Sequence, residues 1–180
     1  MKAYLDMDGV IADFLSAASA AHNRPLPYDR PEALGCWDTE KLWGITPREF
    51  WAPCNTEEFW LGIPKTPEAD SIMALALDNF GADNVCILTA PNQAPGCINA
   101  KRRWMREQFP SVNLPMIFTA SKGWVGGPGK VLIDDKDSNC EEFREAGGFA
   151  LLVPRLWNSR HATAPNVLDE LNKGLETLLN

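Results

Sequence analysis

The chain has 180 residues, 45% of them hydrophobic and 23% charged, which fits one globular domain with an insertion, or two small domains, with enough length to bury a core. A formal net charge of −7 argues against extended nucleic acid as a partner, because an acidic surface repels a phosphate backbone. Cys36, Cys54, Cys86, Cys97 and Cys140 form no CxxC pair, no apolar stretch reaches the length of a membrane span, and DMDG follows the start without a signal-type apolar region; free thiols, no membrane partner and a cytoplasmic location are expected.

In chain order, the apolar run Ala3 to Leu5 reads as a buried strand and ends in Asp6-Met7-Asp8-Gly9. Residues 15–65 hold four tryptophans (Trp37, Trp43, Trp51 and Trp60), many prolines and no clear strand. They read as a small helical insertion, with one helix start at Thr46-Pro47-Arg48-Glu49. Thr66-Pro67-Glu68 is expected to cap and open a helix through Ile72, Leu75 and Leu77 that stops at Gly81. Val85 to Leu88 is the next strand, ending in Thr89-Ala90-Pro91. A helix over 95–109 follows, with Ile98, Met105 and Phe109 on one face. Met116 to Phe118, Val131 to Ile133 and Ala150 to Val153 are further strands, and Asp134-Asp135 closes the second of these. Ser138-x-x-Glu141 predicts a capping box on a helix that ends at Gly147-Gly148. Val167, Leu168, Leu171, Leu175 and Leu178 predict an amphipathic last helix. Strand alternating with helix implies an α/β fold, a parallel sheet with helices on both faces, whose ligands bind beyond the carboxyl ends of the strands.

Three of these strands end in residues suited to phosphate chemistry. One aspartate at a strand end is ordinarily a turn or a helix cap. Two Asp pairs brought to one sheet edge would repel one another unless a hard cation neutralises them, and Mg²⁺ favours carboxylate ligands together with a substrate phosphate. Gly126-Gly127-Pro128-Gly129-Lys130 is not a phosphate loop: it fails the GxxxxGK[ST] spacing, and a strand rather than a helix follows. His22 and His161 have no partner spacing for a triad or a zinc site.

DMDGV, ILTA, the lysine of TASK and LIDD resemble the four motifs of the haloacid-dehalogenase-like hydrolases. DMDGVIADF, EFWLGIPKTPEA, ILTAP, Lys101 with Trp104, FTASK and VLIDD also stand in the order of the 5′(3′)-deoxyribonucleotidase branch, and FALLVPRLWN matches weakly. The resemblance implies a Rossmann-like core over 1–14 and 66–180, with a helical cap over 15–65. It implies Asp6 as a nucleophile that forms an aspartyl-phosphate, and Asp8 as the acid that protonates the leaving alkoxide and then the base that activates water. Thr89 and the Ala90 amide would meet the phosphoryl group, and Lys122 would clamp it. Mg²⁺ would be held by Asp6, by the Asp8 carbonyl and by Asp134, with Asp135 ligating through water or orienting Lys122. Lys101 has two readings, a structural lysine whose stem snorkels, or a phosphate ligand.

Phe14 matches the phenylalanine that follows DGVxAD in the deoxyribonucleotidases, where it lines the base pocket, and Trp37 is a second candidate. Most of the insertion's aromatics are expected to form its own small core. Ala120 stands where the animal enzymes carry arginine, which leaves base preference open. The expected activity is Mg²⁺-dependent release of phosphate from a nucleoside monophosphate. The alternatives are a phosphatase of the same superfamily acting on a sugar phosphate, and a non-catalytic nucleotide binder. A homodimer is the oligomer to test for.

Overall fold

Period-two burial explains the sheet. In the computed structural model, which describes residues 1–179, Ala3 and Leu5 face one side of strand β1 (Lys2–Leu5) and Tyr4 the other. β2 (Val85–Thr89), β3 (Met116–Phe118), β4 (Lys130–Asp134) and β5 (Phe149–Leu152) lie parallel to it in the order β3-β2-β1-β4-β5. Leu5 pairs with Ile87 on one side and Ile133 on the other, and Asp134 pairs with Leu152. The polar ends of β1, β2 and β4 therefore reach one edge together.

Among the described residues eight α-helices accompany the sheet: α1 (Phe14–His22), α2 (Thr39–Trp43), α3 (Pro47–Trp51), α4 (Glu57–Leu61), α5 (Ala69–Phe80), α6 (Cys97–Gln108), α7 (Asp137–Glu145) and α8 (Val167–Leu179). The larger core joins Leu5, Ile87 and Ile133 to Ile72 of α5, Trp104 of α6 and Leu171 of α8. The opposite face is smaller, with Tyr4, Leu88 and Leu132 packed on Phe143 of α7. Both faces of the sheet are thus covered.

The expected elements form, with local differences. Thr66 does not cap α5; it lies three residues before the helix, and its hydroxyl donates to Val10 O at 2.7 Å. The Ser138 capping box does not form either: α7 begins at Asp137, with Lys136 rather than Ser138 at its N-cap, because Asp134 accepts from Lys136 N and Asn139 Nδ2 and winds the chain two residues earlier. In α6 the buried stripe is Cys97, Ala100, Lys101 and Trp104, and Ile98 is exposed. A lysine holds the central place on that apolar stripe because its partners lie beneath it. The capping box of α3 does form, with Thr46 Oγ1 accepting from Glu49 N and Glu49 Oε2 accepting from Thr46 N.

The segment from 15 to 65 leaves and rejoins the sheet at one point. Asp13 N donates to Pro64 O at 2.8 Å, Thr66 N to Ile11 O at 3.0 Å, and Ala12 bridges Lys65. Between those points lie α2, α3, α4 and most of α1, with no strand. Phe50, Cys54 and Ala18 form one small apolar cluster of the segment, and Tyr28 and Ala33 close a second with Trp157.

Candidate active site

β1 stops because the chain turns back on itself. Val10, Ile11 and Ala12 all donate their N–H to Met7 O, and Gly9 N donates to Ala12 O. Gly9 makes the turn at φ +74°, where an L side chain is strained. A Cβ at this position would also lie 2.1 Å from Asp135 Oδ2. Glycine is needed there for its backbone and for the space it leaves.

Asp6 is buried at the foot of this loop. Its Oδ1 accepts from Met7 N at 2.7 Å, and its Oδ2 lies 2.7 Å from Lys122 Nζ. The same ammonium reaches Asp134 Oδ2 at 2.5 Å. Asp134 also accepts from Lys136 N and Asn139 Nδ2. Burial pushes the Asp6 carboxyl up, Asp134 and Asp8 add to the push, and Lys122 opposes it; the result is about 7. Burial works against the Lys122 ammonium, but Asp6 and Asp134 outweigh it and hold its pKa above the ordinary lysine value. Asp135 is driven well above the carboxylate range by burial and then by Asp134 and Asp6.

The structure gives Asp135 a different partner from the one expected. Lys122 is oriented by Asp6 and Asp134, while Asp135 Oδ2 accepts from Trp157 Nε1 at 2.7 Å. The two adjacent aspartates point to different neighbours because successive side chains diverge at a strand end.

The carboxylate oxygens of Asp6, Asp134 and Asp135 lie within 4.8 Å of one another, all buried. With all three carboxylates ionised, the single Lys122 ammonium would leave two negative charges in a buried space. Such an all-oxygen set fits a hard divalent cation. The Asp8 carboxylate stands outside this group, and of Asp8 only the main-chain carbonyl was expected at a metal.

Asp8 and Lys101 form a second unit. Lys101 Nζ donates to Asp8 Oδ2 at 2.5 Å, to Thr89 Oγ1 at 2.7 Å and to Ala90 O at 2.8 Å. These bonds use its three hydrogens, and the side chain is fully buried, so it does not snorkel. Lysine has no acceptor, so Thr89 accepts here and keeps its own hydroxyl hydrogen to donate elsewhere. Asp8 Oδ1 is buried with no protein partner. Lys101 and Thr89 thus lie behind the site, supporting Asp8 and Ala90.

One cavity of about 300 Å³ opens over these groups. Asp6, Asp8, Lys122 and Asp135 supply its polar lining, with Ala90 and Ala120 beside them. Phe14 also lines it, in the middle of an aromatic set: Trp60 stacks on it at 5.7 Å and 23°, and Trp51, Phe59 and Phe50 surround it at 5.6, 5.8 and 6.3 Å between centroids. Trp37 is 43% exposed and also borders the cavity, with Lys136 Nζ 4.8 Å from its ring.

Sequence reasoning missed the residues after β5. Arg155 Nε donates to Gly9 O at 2.7 Å and its Nη2 to Val10 O at 3.2 Å, holding the loop that follows β1. Asn158 Nδ2 donates to Asp135 O at 2.8 Å. Their signal was position: PRLWN follows a strand whose carboxyl end shares the active edge. The GGPGK turn, by contrast, precedes β4 and lies at the opposite edge, where Lys130 Nζ donates to Val125 O. His22 and His161 bond the backbone at Phe50 O and Asn158 O, away from catalysis.

Comparison with known proteins agrees with this geometry. The family model "5' nucleotidase, deoxy (Pyrimidine), cytosolic type C protein" matches residues 1–166. The Bacillus subtilis protein YfnB, described as a HAD-hydrolase, has a similar structure at TM-score 0.54 and 14% identity, over 97% of this chain and 98% of its own. A haloacid dehalogenase-like hydrolase of Streptococcus pneumoniae is similar at TM-score 0.51 and 10% identity, over 93% of this chain and 90% of its own. No curated protein matches the sequence. With the motif loops on one edge of the sheet and the family match running through nearly all of it, the chain belongs to the cytosolic type C 5′-nucleotidase family and is a phosphatase of the haloacid-dehalogenase-like superfamily.

Proposed function

We propose that this phosphatase hydrolyses (deoxy)ribonucleoside 5′-monophosphates through an aspartyl-phosphate on Asp6, with Mg²⁺ held by Asp6, Asp134, Asp135 and the Asp8 carbonyl, and with residues 15–65 acting as a cap over a core of 1–14 and 66–180. The observation that carries the reading is the single cavity with a carboxylate–lysine floor and an aromatic wall centred on Phe14. A phosphate suits one side of it and a base the other. The buried surplus of negative charge supports the metal, and YfnB, on the same fold, is described as bound to magnesium.

Mg²⁺, when bound, offsets charge on the phosphoryl oxygens and on the carboxylates around it. The chain's own residues do the rest. Lys122 holds Asp6 in place and presents positive charge to the incoming phosphoryl group. Asp6 attacks phosphorus, and the bond from phosphorus to the sugar oxygen breaks. Asp8, which lines the cavity and is fixed by Lys101 through Oδ2, takes up a proton on its other oxygen, Oδ1, and gives it to that sugar oxygen. It then takes a proton from water, the water oxygen bonds to phosphorus, and Asp6 leaves as a carboxylate. The Phe14 face supplies stacking for the base.

The test is phosphate release from a panel of nucleoside monophosphates and sugar phosphates, with Mg²⁺ and with EDTA. Mg²⁺-dependent turnover of nucleotides is expected. Turnover of sugar phosphates with none of nucleotides would overturn the substrate assignment, and full activity in EDTA would overturn the metal.

A further inference from the structure

Among the described residues, Asp135 receives one side-chain hydrogen bond, from Trp157 Nε1 to Oδ2. None of the described residues donates to its Oδ1. The carboxyl plane is also confined: Oδ2 occupies the space that a Cβ on Gly9 would need, 2.1 Å away. Asn158 fixes the backbone of the same residue by donating to Asp135 O. Trp157 is itself held, 8% exposed, with its ring 6.0 Å from that of Tyr28, whose hydroxyl meets Cys36 O and Thr39 Oγ1.

From this geometry we infer that Trp157 is a positioning residue for the metal site: its indole N–H anchors Oδ2 of Asp135 and leaves Oδ1 for the cation. The inference rests on the metal reading above. Asp135 must be ionised to hold a cation, and beside Asp6 and Asp134 an unanchored carboxylate would then turn away from them. The indole N–H opposes that rotation, because a buried hydrogen bond to a charged acceptor is strong and directional. A donor to the outer oxygen of a metal-binding carboxylate characteristically sets affinity, and its loss costs about 10–100-fold.

The experiment titrates Mn²⁺ alone, with free Mn²⁺ read by electron paramagnetic resonance, into wild type, Trp157→Phe and Asp134→Ala. Phenylalanine keeps an aromatic ring against Tyr28 and removes only the donor. Mn²⁺ affinity about 10–100-fold weaker in folded Trp157→Phe supports the inference. Wild-type affinity in Trp157→Phe, with binding lost in Asp134→Ala, overturns it while the metal reading stands. No Mn²⁺ binding by wild type overturns both. A second measurement serves if Trp157→Phe does not fold: the Trp157 indole N–H resonance of the wild-type protein must shift as Mg²⁺ is added. A resonance that stays fixed while Mg²⁺ binds overturns the inference.

Discussion

Replacing Asp6 with asparagine should do two things, and the second is thermodynamic. Turnover should fall to background, since the amide is a poor nucleophile. In metal-free protein, the dependence of stability on pH should also flatten. Burial and the carboxylates of Asp134 and Asp8 raise Asp6 from an ordinary 3.8 to about 7 against the pull of Lys122. Folded protein therefore binds more protons than unfolded protein between about pH 4 and pH 7. The stabilisation by that proton is complete below the unfolded value and is lost as pH rises through the folded one. A shift of about three units at 1.36 kcal/mol each amounts to about 4 kcal/mol. For a chain of this size that is roughly 8–16 °C in melting temperature. Asp135 is displaced in the same direction, so the wild-type slope contains both groups and the difference between the proteins reports Asp6 together with its coupling to Asp135. The assay is thermal melting of wild type and Asp6→Asn in EDTA from pH 4 to pH 8, repeated with Mg²⁺. Wild type should lose stability relative to the variant as pH rises, and Mg²⁺ should restore it above pH 7 and have little effect near pH 4. Parallel pH curves for the two proteins would refute the view that Asp6 is a destabilised buried carboxylate.

Phe14→Leu keeps apolar bulk and removes the aromatic face; kcat/KM for a nucleoside monophosphate should fall about 5- to 150-fold, from a stacking worth of about 1–3 kcal/mol, with a much smaller loss for an acyclic phosphate ester. Equal losses on both would remove Phe14 from base binding. Gly9→Ala forces a Cβ into Asp135 Oδ2, so the Mg²⁺ concentration for half-maximal rate should rise sharply; an unchanged Mg²⁺ profile would contradict the close approach of the two loops. Lys101→Met leaves the Asp8 carboxylate without its cation and should destabilise the protein by about 3 kcal/mol, the low end for a broken buried pair because Asp8 is 26% exposed. Adding Asp8→Asn to that variant should recover part of the loss in a denaturant titration, and no recovery would mean that Lys101 matters for packing alone.

The sheet was readable because its cues are local. Apolar runs of three or four residues located all five strands to within a residue, and the Asp pairs marked the active edge. What escaped was set by partners distant in sequence. Nothing in α6 announces that Lys101 is buried rather than solvated, since that depends on Asp8, 93 residues away. Ile98 looks apolar and belongs to the periodic pattern, yet the helix turns its lysine inward. Arg155, Trp157 and Asn158 lie in the weakly matching FALLVPRLWN stretch, which by itself assigns them no role; they act because β5 delivers them beside β4. The aromatics of 15–65 were legible as a group, but their division between packing and cavity wall was not, because Phe50, Trp51 and Trp60 both pack on Phe14 and line the cavity.

Topology explains why the site lies where it does. β1 is central, with β2 and β3 on one side of it and β4 and β5 on the other. The chain first runs outward through β2 and β3, then crosses back past β1 to enter β4. The connections after β1 and β4 therefore diverge, and a crevice opens beyond their carboxyl ends. Asp6 and Asp8 sit on one lip of that crevice, Asp134 and Asp135 on the other. Lys122, entering from the loop after β3, bridges Asp6 to Asp134 across it. The 15–65 excursion begins and ends at the same lip, so its aromatic side is fixed over the carboxylates by the backbone bonds at Asp13 and Thr66. A stretch of chain with no strand of its own thereby gains a defined place over the catalytic loops. Substitutions within it can change what the cavity accepts without altering the strand ends that carry the chemistry.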